Sequence, residues 1–200
     1  MVHPPGLPHE ACPGEEKILT LYDQALAELG TVFGRIDEQA VDAAVAVIAG
    51  AKRIALYGVG REGLQIKGLA MRLYHLGLKA AVVGDMTTPP VGEGDLLIVS
   101  AGPGGFSTVL GLMGEAKAAG AKTLVVTAQP NGEAAKQADH VLVIPAQTMA
   151  DDRGAGVSVL PMGSLFEGAQ YILFEVMVLK LRERLGISPE AMRANHTNLE

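Results

Sequence analysis

The segment RIALYGVGREG (Arg53–Gly63) is the most informative about the fold, because it joins an apolar strand to a glycine-rich turn that opens a helix. The strand is predicted over Arg53–Tyr57, and the helix is predicted to continue through Leu76. Further apolar strands are predicted over Lys79–Val83, Asp95–Val99, Lys122–Thr127 and His140–Ile144. Strands that alternate with helices in this way are typical of an α/β protein. We expect a three-layer αβα sandwich of flavodoxin-like or Rossmann-like type, with a five-stranded parallel sheet covered on both faces.

Helical patterns flank this alternating region on both sides. Two helices are predicted before it, over Glu15–Phe33 and Asp37–Ile48, and two after it, over Ser164–Leu185 and Pro189–Arg193. The helix over Ser164–Leu185 is apolar on nearly every side, which in a chain of this length predicts contact with another subunit. The first helix carries an apolar stripe formed by Leu19, Tyr22, Leu26, Leu29 and Phe33.

The composition suits one domain over residues 15–200. Residues 1–14 contain four prolines and two glycines, and we interpret them as a mobile tail rather than a signal peptide or membrane span. Cys12 is the only cysteine, which excludes a disulfide framework and favours the reducing cytoplasm. The net charge of −6, without runs of Lys or Arg, argues against nucleic-acid binding. The most apolar run, Tyr171–Leu179, is too short for a membrane span and is interrupted by Glu175.

The first glycine-rich loop admits three interpretations. Gly58, Gly60 and Gly63 form a G-x-G-x-x-G pattern, and Asp85 ends the next strand, as in a dinucleotide-binding fingerprint. The helix that follows would also present free N–H groups to any phosphorylated ligand. Alternatively, the glycines permit a tight turn, with Gly63 allowing close packing. The chain has no room for a separate substrate domain after the sheet, which weighs against a dehydrogenase.

A second glycine-rich loop, Ser100–Thr108, follows the third strand. Its hydroxyls at Ser107 and Thr108 could bind phosphate oxygens or cap the following helix. Ligands of open parallel sheets bind beyond the carboxyl ends of the strands, where neighbouring loops diverge. The two loops therefore predict one cleft for a small phosphorylated sugar.

Five stretches together resemble the 6-phospho-3-hexuloisomerases, which belong to the sugar isomerase (SIS) domain proteins. The stretches are Gly58–Arg61, Ala70–Gly77, Thr87–Pro89, Leu160–Glu167 and His196–Glu200. The resemblance implies an SIS-type fold and a homotetramer whose active sites draw residues from neighbouring subunits. It also implies interconversion of 3-hexulose 6-phosphate and fructose 6-phosphate without a metal or cofactor.

Two residues are candidates for catalysis under this resemblance. Glu167 matches the position of the catalytic carboxylate, although Ser164-Leu165-Phe166-Glu167 is also the pattern of a helix capping box. His196 is the candidate acid–base partner, against the alternative of a histidine in a disordered tail. His75 is interpreted as a packed or interface histidine.

The two glycine-rich loops and the family resemblance together indicate a set of substrate-binding residues. These candidates are Gly58, Gly60, Arg61, Thr87, Thr88, Ser100, Gly102, Gly104, Ser107 and Thr108. The chain departs from the family where the usual S-G-S-G-x-T loop is replaced by SAGPGG, and where Glu62 stands in place of the usual Ser. A carboxylate beside an anion pocket would repel phosphate. The phosphate would then bind at a different position from that in the family, the substrate would be another sugar, or the protein would be a non-catalytic phosphosugar sensor.

Overall fold

The computed structural model describes residues 19–154 and 156–199, so the tail predicted over residues 1–14 lies outside the described residues. The described chain forms a five-stranded sheet in the order β2-β1-β3-β4-β5, with every pair parallel. This confirms the predicted fold class. The strands are β1 (Ile54–Gly58), β2 (Ala80–Val82), β3 (Leu96–Ser100), β4 (Lys122–Thr127) and β5 (His140–Val143).

Helices cover both faces of the sheet. They are α1 (Leu21–Phe33), α2 (Glu38–Gly50), α3 (Gly60–His75), α4 (Ser107–Ala118), α5 (Glu133–Gln137), α6 (Ser164–Leu185) and α7 (Pro189–Ala194). Because side chains alternate along a strand, Leu56 and Ile98 pack against α2, α3 and α6, whereas Ala55 and Val99 pack against α4 and α5. The sheet is therefore the middle layer of three.

Local sequence signals explain several helix ends. Asp37 caps α2, its carboxylate accepting a hydrogen bond from the Gln39 backbone N–H at 2.9 Å. Gly186 ends α6 in the left-handed conformation, with φ +66°. Thr20 caps α1 in a capping box with Asp23, so within the described residues this helix begins at Leu21 rather than continuing from Glu15 as predicted.

The apolar stripe predicted along α1 divides into two parts. Leu29 and Phe33 pack against the main core, but Leu19, Tyr22 and Leu26 lie on the surface, with Tyr22 83% and Leu26 68% exposed. The stripe is therefore only partly a core face. None of the helices described in residues 19–154 and 156–199 is long and apolar enough to cross a membrane.

Candidate active site

A cleft forms where β1 and β3 end side by side. Gly58 and Ser100 are register partners at the carboxyl ends of these strands. From there the chain turns to opposite faces of the sheet, since α3 packs on one face and α4 on the other. This divergence is the switch point at which open parallel sheets bind ligands. Both predicted glycine-rich loops therefore border one site.

Packing accounts for two glycines of the first loop. A Cβ on Gly63 would lie 2.5 Å from the Gly58 carbonyl oxygen, and a Cβ on Gly58 would lie 3.0 Å from the Gly63 backbone. Gly60 differs, because its φ is +58° and a Cβ there would meet nothing within 4 Å. Close strand–helix packing thus explains Gly58 and Gly63, while Gly60 lies at an open turn.

Glu62 reaches from the first turn of α3 into the second loop. Its Oε2 accepts hydrogen bonds from the Ser100 hydroxyl at 2.5 Å and from the Gly102 N–H at 2.9 Å. Gln170 of α6 donates to the Ser100 hydroxyl at 2.8 Å. Ser100 and Gln170 are fully buried, and Glu62 is 7% exposed. The carboxyl group lies between the loops in a buried polar network.

Burial raises the pKa of Glu62, because removal from water disfavours the charged form. The hydrogen bonds from Ser100 and Gly102 oppose that effect, and the negative charge of Glu167 adds to it. The pKa of Glu62 is raised overall. The charge of Glu167 therefore acts on the Glu62 carboxyl group within one site.

Glu167 lies in the first turn of α6, beside Arg61 of α3. The Arg61 Nε donates to the Glu167 Oε2 at 2.5 Å, and the Arg61 Nη2 donates to the Met162 carbonyl oxygen. The capping-box interpretation of Glu167 is wrong, because α6 is preceded by Gly163 with φ +83° and has no side-chain cap. The Glu167 side chain is 15% exposed and points to Arg61 instead. The site thus holds an ion pair at its mouth.

The remaining hydroxyl candidates of the second loop lie further out. Ser107 and Thr108 are the first two residues of α4, exposed, and the helix follows Phe106 without a side-chain cap. The capping interpretation of Ser107 and Thr108 is therefore wrong. Gly104 adopts φ +102° and packs against the loop around Gly132, where a Cβ on Gly132 would lie 2.6 Å from the Gly104 Cα. Ser107 also borders a surface groove with Glu133.

Thr87 and Thr88 lie elsewhere, along the edge strand β2. Thr88 donates hydrogen bonds to the carbonyl oxygens of Val82 at 2.6 Å and Asp85 at 2.8 Å, which fixes the turn. Both threonines line a groove with Arg53 and Lys79. The structure places them in that groove rather than beside Arg61 and Glu167.

His196 lies at the opposite end of α3. Its ring stacks on that of the buried His75 with centroids 5.1 Å apart, and Asn195 donates a hydrogen bond to the His75 carbonyl oxygen. His75 and Arg61 are separated by about 20 Å along α3, given a rise of about 1.5 Å per residue. One subunit therefore does not bring His196 together with Glu167.

Gln170 is the site residue that sequence reasoning missed. The signal for it was present, since it is a polar residue on the buried stripe of α6 formed with Phe166, Ala169 and Leu173. Its Oε1 is buried without a hydrogen-bond partner. Within residues 19–154 and 156–199, no three His, Cys, Asp or Glu side chains are grouped as ligands for a metal ion.

Comparison with known proteins identifies relatives of this chain. A family model described as the SIS domain matches residues 47–167. A 3-hexulose-6-phosphate isomerase of Bacillus subtilis is 34% identical over 177 residues, covering 88% of this chain and 96% of that protein. The enzyme of the same name from Mycobacterium gastri is 35% identical over 173 residues, covering 86% of each.

A solved structure from Methanococcus jannaschii, from which the function of a 3-hexulose-6-phosphate isomerase was inferred, is also similar. It superimposes with a TM-score of 0.77 at 28% identity, covering 90% of this chain and 98% of that one. The resemblance extends over nearly the whole of both chains.

Proposed function

We propose that this chain, which belongs to the SIS domain family, isomerises a phosphorylated sugar, interconverting 3-hexulose 6-phosphate and fructose 6-phosphate. The observation that carries this proposal is the ion pair of Glu167 and Arg61, held where the two glycine-rich loops meet. The names of the relatives supply the substrate class. A phosphosugar is therefore favoured over the dinucleotide that the G-x-G-x-x-G pattern left open.

The reaction moves a carbonyl group between C3 and C2, and Glu167 is the proposed base. It takes the proton from C2 of the 3-ketose, whose O3 gains a proton to give an enediol. The same carboxyl group then returns a proton to C3 while O2 loses a proton, which balances the one gained by O3 and leaves the carbonyl at C2. Substrate and product contain the same atoms and electrons, so the balance needs no oxidant. General-base catalysis of such a step typically contributes about 10²–10⁴-fold in rate.

Arg61 is the proposed electrostatic partner of the negative charge that develops on the substrate oxygen while the enediol forms. A cation placed where negative charge develops lowers the barrier, and does so more strongly in a site shielded from water. The hydrogen bond and charge of Glu167 raise the pKa of the Arg61 guanidinium, so Arg61 remains positive. In the free protein it also holds Glu167 in place.

The phosphate group is proposed to lie between the N-termini of α3 and α4. The residues that precede these helices, Val59 and Phe106, make no side-chain cap hydrogen bond, so backbone N–H groups remain available to an anion. Gly60 leaves open space above the first loop. Gly58, Gly102 and Gly104 shape the site, and Ser107 and Thr108 border its outer rim.

His196 is proposed to act in the site of a neighbouring subunit, since its own Glu167 is far away. This requires a homo-oligomer, and we propose a tetramer. Exposed apolar side chains on α1 and α6 support such an assembly, among them Tyr22, Leu26 and Leu179. A cytoplasmic location and independence from metals and cofactors stay predictions from the sequence.

Carbon-13 NMR tests the proposed reaction directly. Fructose 6-phosphate labelled at C2 and C3 is incubated with the protein, and the carbonyl signal is expected to move in part from C2 to C3. Appearance of an aldose at C1 would instead indicate a different sugar-phosphate isomerase. Binding of fructose 6-phosphate, followed by thermal shift, without any conversion would favour the non-catalytic sensor, and a shift with NAD alone would favour the dinucleotide.

A further inference from the structure

Glu62 is a buried carboxyl group that the proposed reaction does not use. It lies under the cleft, 7% exposed, and bridges the two glycine-rich loops through Ser100 and Gly102. Most buried carboxylates are paired with a cation. The partners of the Glu62 carboxyl are instead a neutral hydroxyl and a backbone N–H, and Arg61 donates to Glu167.

The packing leaves Glu62 little freedom to withdraw from the cleft. A Cβ on Gly102 would lie 2.9 Å from the Glu62 Oε1 and 3.0 Å from the ring of Phe166, so the carboxyl group fills the space beside that loop. The carboxyl group would therefore keep its position beside an anion bound between the loops. Protonation of the carboxyl group therefore relieves its repulsion of the anion more easily than movement of the side chain does.

The groups that face Glu62 decide the net charge of the site. The negative charge of Glu167 on α6 acts on Glu62, and Arg61 on the same helix as Glu62 neutralises Glu167. The neutral Ser100 of β3 bonds to Glu62, and the neutral Gln170 of α6 bonds to Ser100. With Glu62 ionised, these side chains sum to one negative charge, which opposes a phosphate. With Glu62 neutral, they sum to zero.

The hydrogen-bond network tolerates the extra proton. The Ser100 hydroxyl now donates to Glu62 and accepts from Gln170. A hydroxyl both donates and accepts, so it can turn and accept a hydrogen bond from a protonated Glu62. The link between the two loops is preserved in either state.

We propose that binding of the phosphorylated sugar and protonation of Glu62 are coupled, so that the loaded site contains a neutral Glu62 carboxyl that holds the second loop in place without repelling the ligand. Glu62 is thus a positioning residue that links ligand affinity to pH. The proton comes from the solvent and returns to it when the ligand leaves. This inference rests on the proposed function, because it takes the ligand to be a phosphate ester bound between the loops.

The test is a pH titration of Glu62 with and without fructose 6-phosphate, in protein labelled with carbon-13 at the glutamate carboxyl groups. The resonance of Glu62 is identified as the one lost in Glu62→Gln, or in Glu62→Asp should the amide variant fold poorly. A negative charge about 8 Å away, at an effective dielectric constant of about 20, is expected to raise the proton affinity of Glu62 about 10- to 100-fold.

Ligand affinity gives the matching readout. By linkage, the affinity of the wild-type protein falls relative to that of Glu62→Gln as the pH rises, by the same factor. Glu115→Gln, an exposed carboxyl-to-amide change on α4, removes the same net charge and is expected to leave the pH dependence unchanged. A Glu62 titration midpoint that the bound sugar leaves unchanged or lowers would overturn the inference alone. Failure of fructose 6-phosphate to bind either protein would overturn the proposed function as well.

Discussion

Glu62 brings a carboxyl group into a part of the molecule that is closed to water. From the sequence it is a negative charge expected to repel phosphate, but the structure shows it bonded to Ser100 and Gly102 in a buried network. Asp95 is a useful contrast. Its burial alone would raise its pKa, but the hydrogen bonds from Arg53 and Gly92 and the charge of Arg53 lower it overall. The two carboxyl groups therefore make the stability of the fold depend on pH in opposite directions.

The first prediction concerns the stability of Glu62→Gln as a function of pH. Because the pKa of Glu62 is raised by folding, its favourable contribution is complete below its unfolded pKa and is lost as the pH rises through its folded pKa. The amide keeps an acceptor for Ser100 without the charge. The melting temperature of Glu62→Gln minus that of the wild-type protein is therefore expected to be at least about 2 °C larger at pH 8.5 than at pH 5.

Thermal unfolding followed by circular dichroism measures this difference. Asp95→Asn is the matched control. Because the pKa of Asp95 is lowered by folding, its ionised carboxylate stabilises the protein at neutral pH and loses this contribution on acidification. The destabilisation caused by Asp95→Asn should therefore be greatest at neutral pH and decrease as the pH falls. Melting temperatures of Glu62→Gln and wild type that stay parallel from pH 5 to pH 8.5 would show that Glu62 carries no such linkage.

At the scale of the element, the turn from β1 to α3 sets the geometry of the site. Gly58 and Gly63 let the strand and helix approach closely, which directs Arg61 and Glu62 to their partners on α6 and in the second loop. The glycine pattern is therefore a packing requirement first. Its resemblance to a dinucleotide fingerprint follows from the same strand–turn–helix geometry.

The second prediction compares two glycines of α3. Gly63→Ala places a Cβ 2.5 Å from the Gly58 carbonyl oxygen, and the overpacking is expected to cost about 1–3 kcal/mol. Gly68→Ala meets nothing within 4 Å in the helix interior and is expected to stabilise the protein by about 0.5–1 kcal/mol. Urea unfolding measures both, and a Gly63→Ala protein as stable as wild type would contradict the packing argument.

The elements were largely predictable because their signals are local. The bounds of α6 follow from the apolar run after Gly163 and the left-handed stop at Gly186, and the strands follow from apolar runs between turns. The direction of a side chain is a tertiary property. Glu167 turns to Arg61, which is distant in sequence, and no spacing rule distinguishes that from a capping box. For the same reason, the separation of His196 from Glu167 could be seen only in the three-dimensional structure.

At the scale of the whole molecule, one layer presents apolar side chains to solvent. On α6, Ile172, Val176 and Leu179 recur at the spacing of one helix face, and Leu179 is 53% exposed. Tyr22 and Leu26 of α1, a helix that packs beside α6, are also exposed. These exposed apolar side chains are the reason to expect partner subunits, which the proposed role of His196 also requires.

The third prediction is that the assembly depends on this surface. The wild-type protein is expected to have about four times the mass of one chain in light scattering. Leu179→Glu should shift the protein to smaller species, because it places a charge in an apolar interface. Met86→Glu is the control, since Met86 is 98% exposed in a loop and its replacement should leave the mass unchanged. A wild-type monomer at micromolar concentration would contradict the assembly and the role of His196 in a neighbouring site.

In the proposed reaction, Glu167 exchanges a proton with the carbon next to the carbonyl of a phosphosugar. Hydrogen exchange at carbon in D₂O measures this most directly. Wild-type protein and Glu167→Gln are each incubated with fructose 6-phosphate, and deuterium at each carbon is followed by NMR. Deuterium is expected at C3 with the wild-type protein. The rate of incorporation is expected to be about 10²–10⁴-fold lower with Glu167→Gln, which should retain the fold and bind the sugar. Deuterium incorporation at C3 at the wild-type rate in Glu167→Gln would show that another group removes the proton.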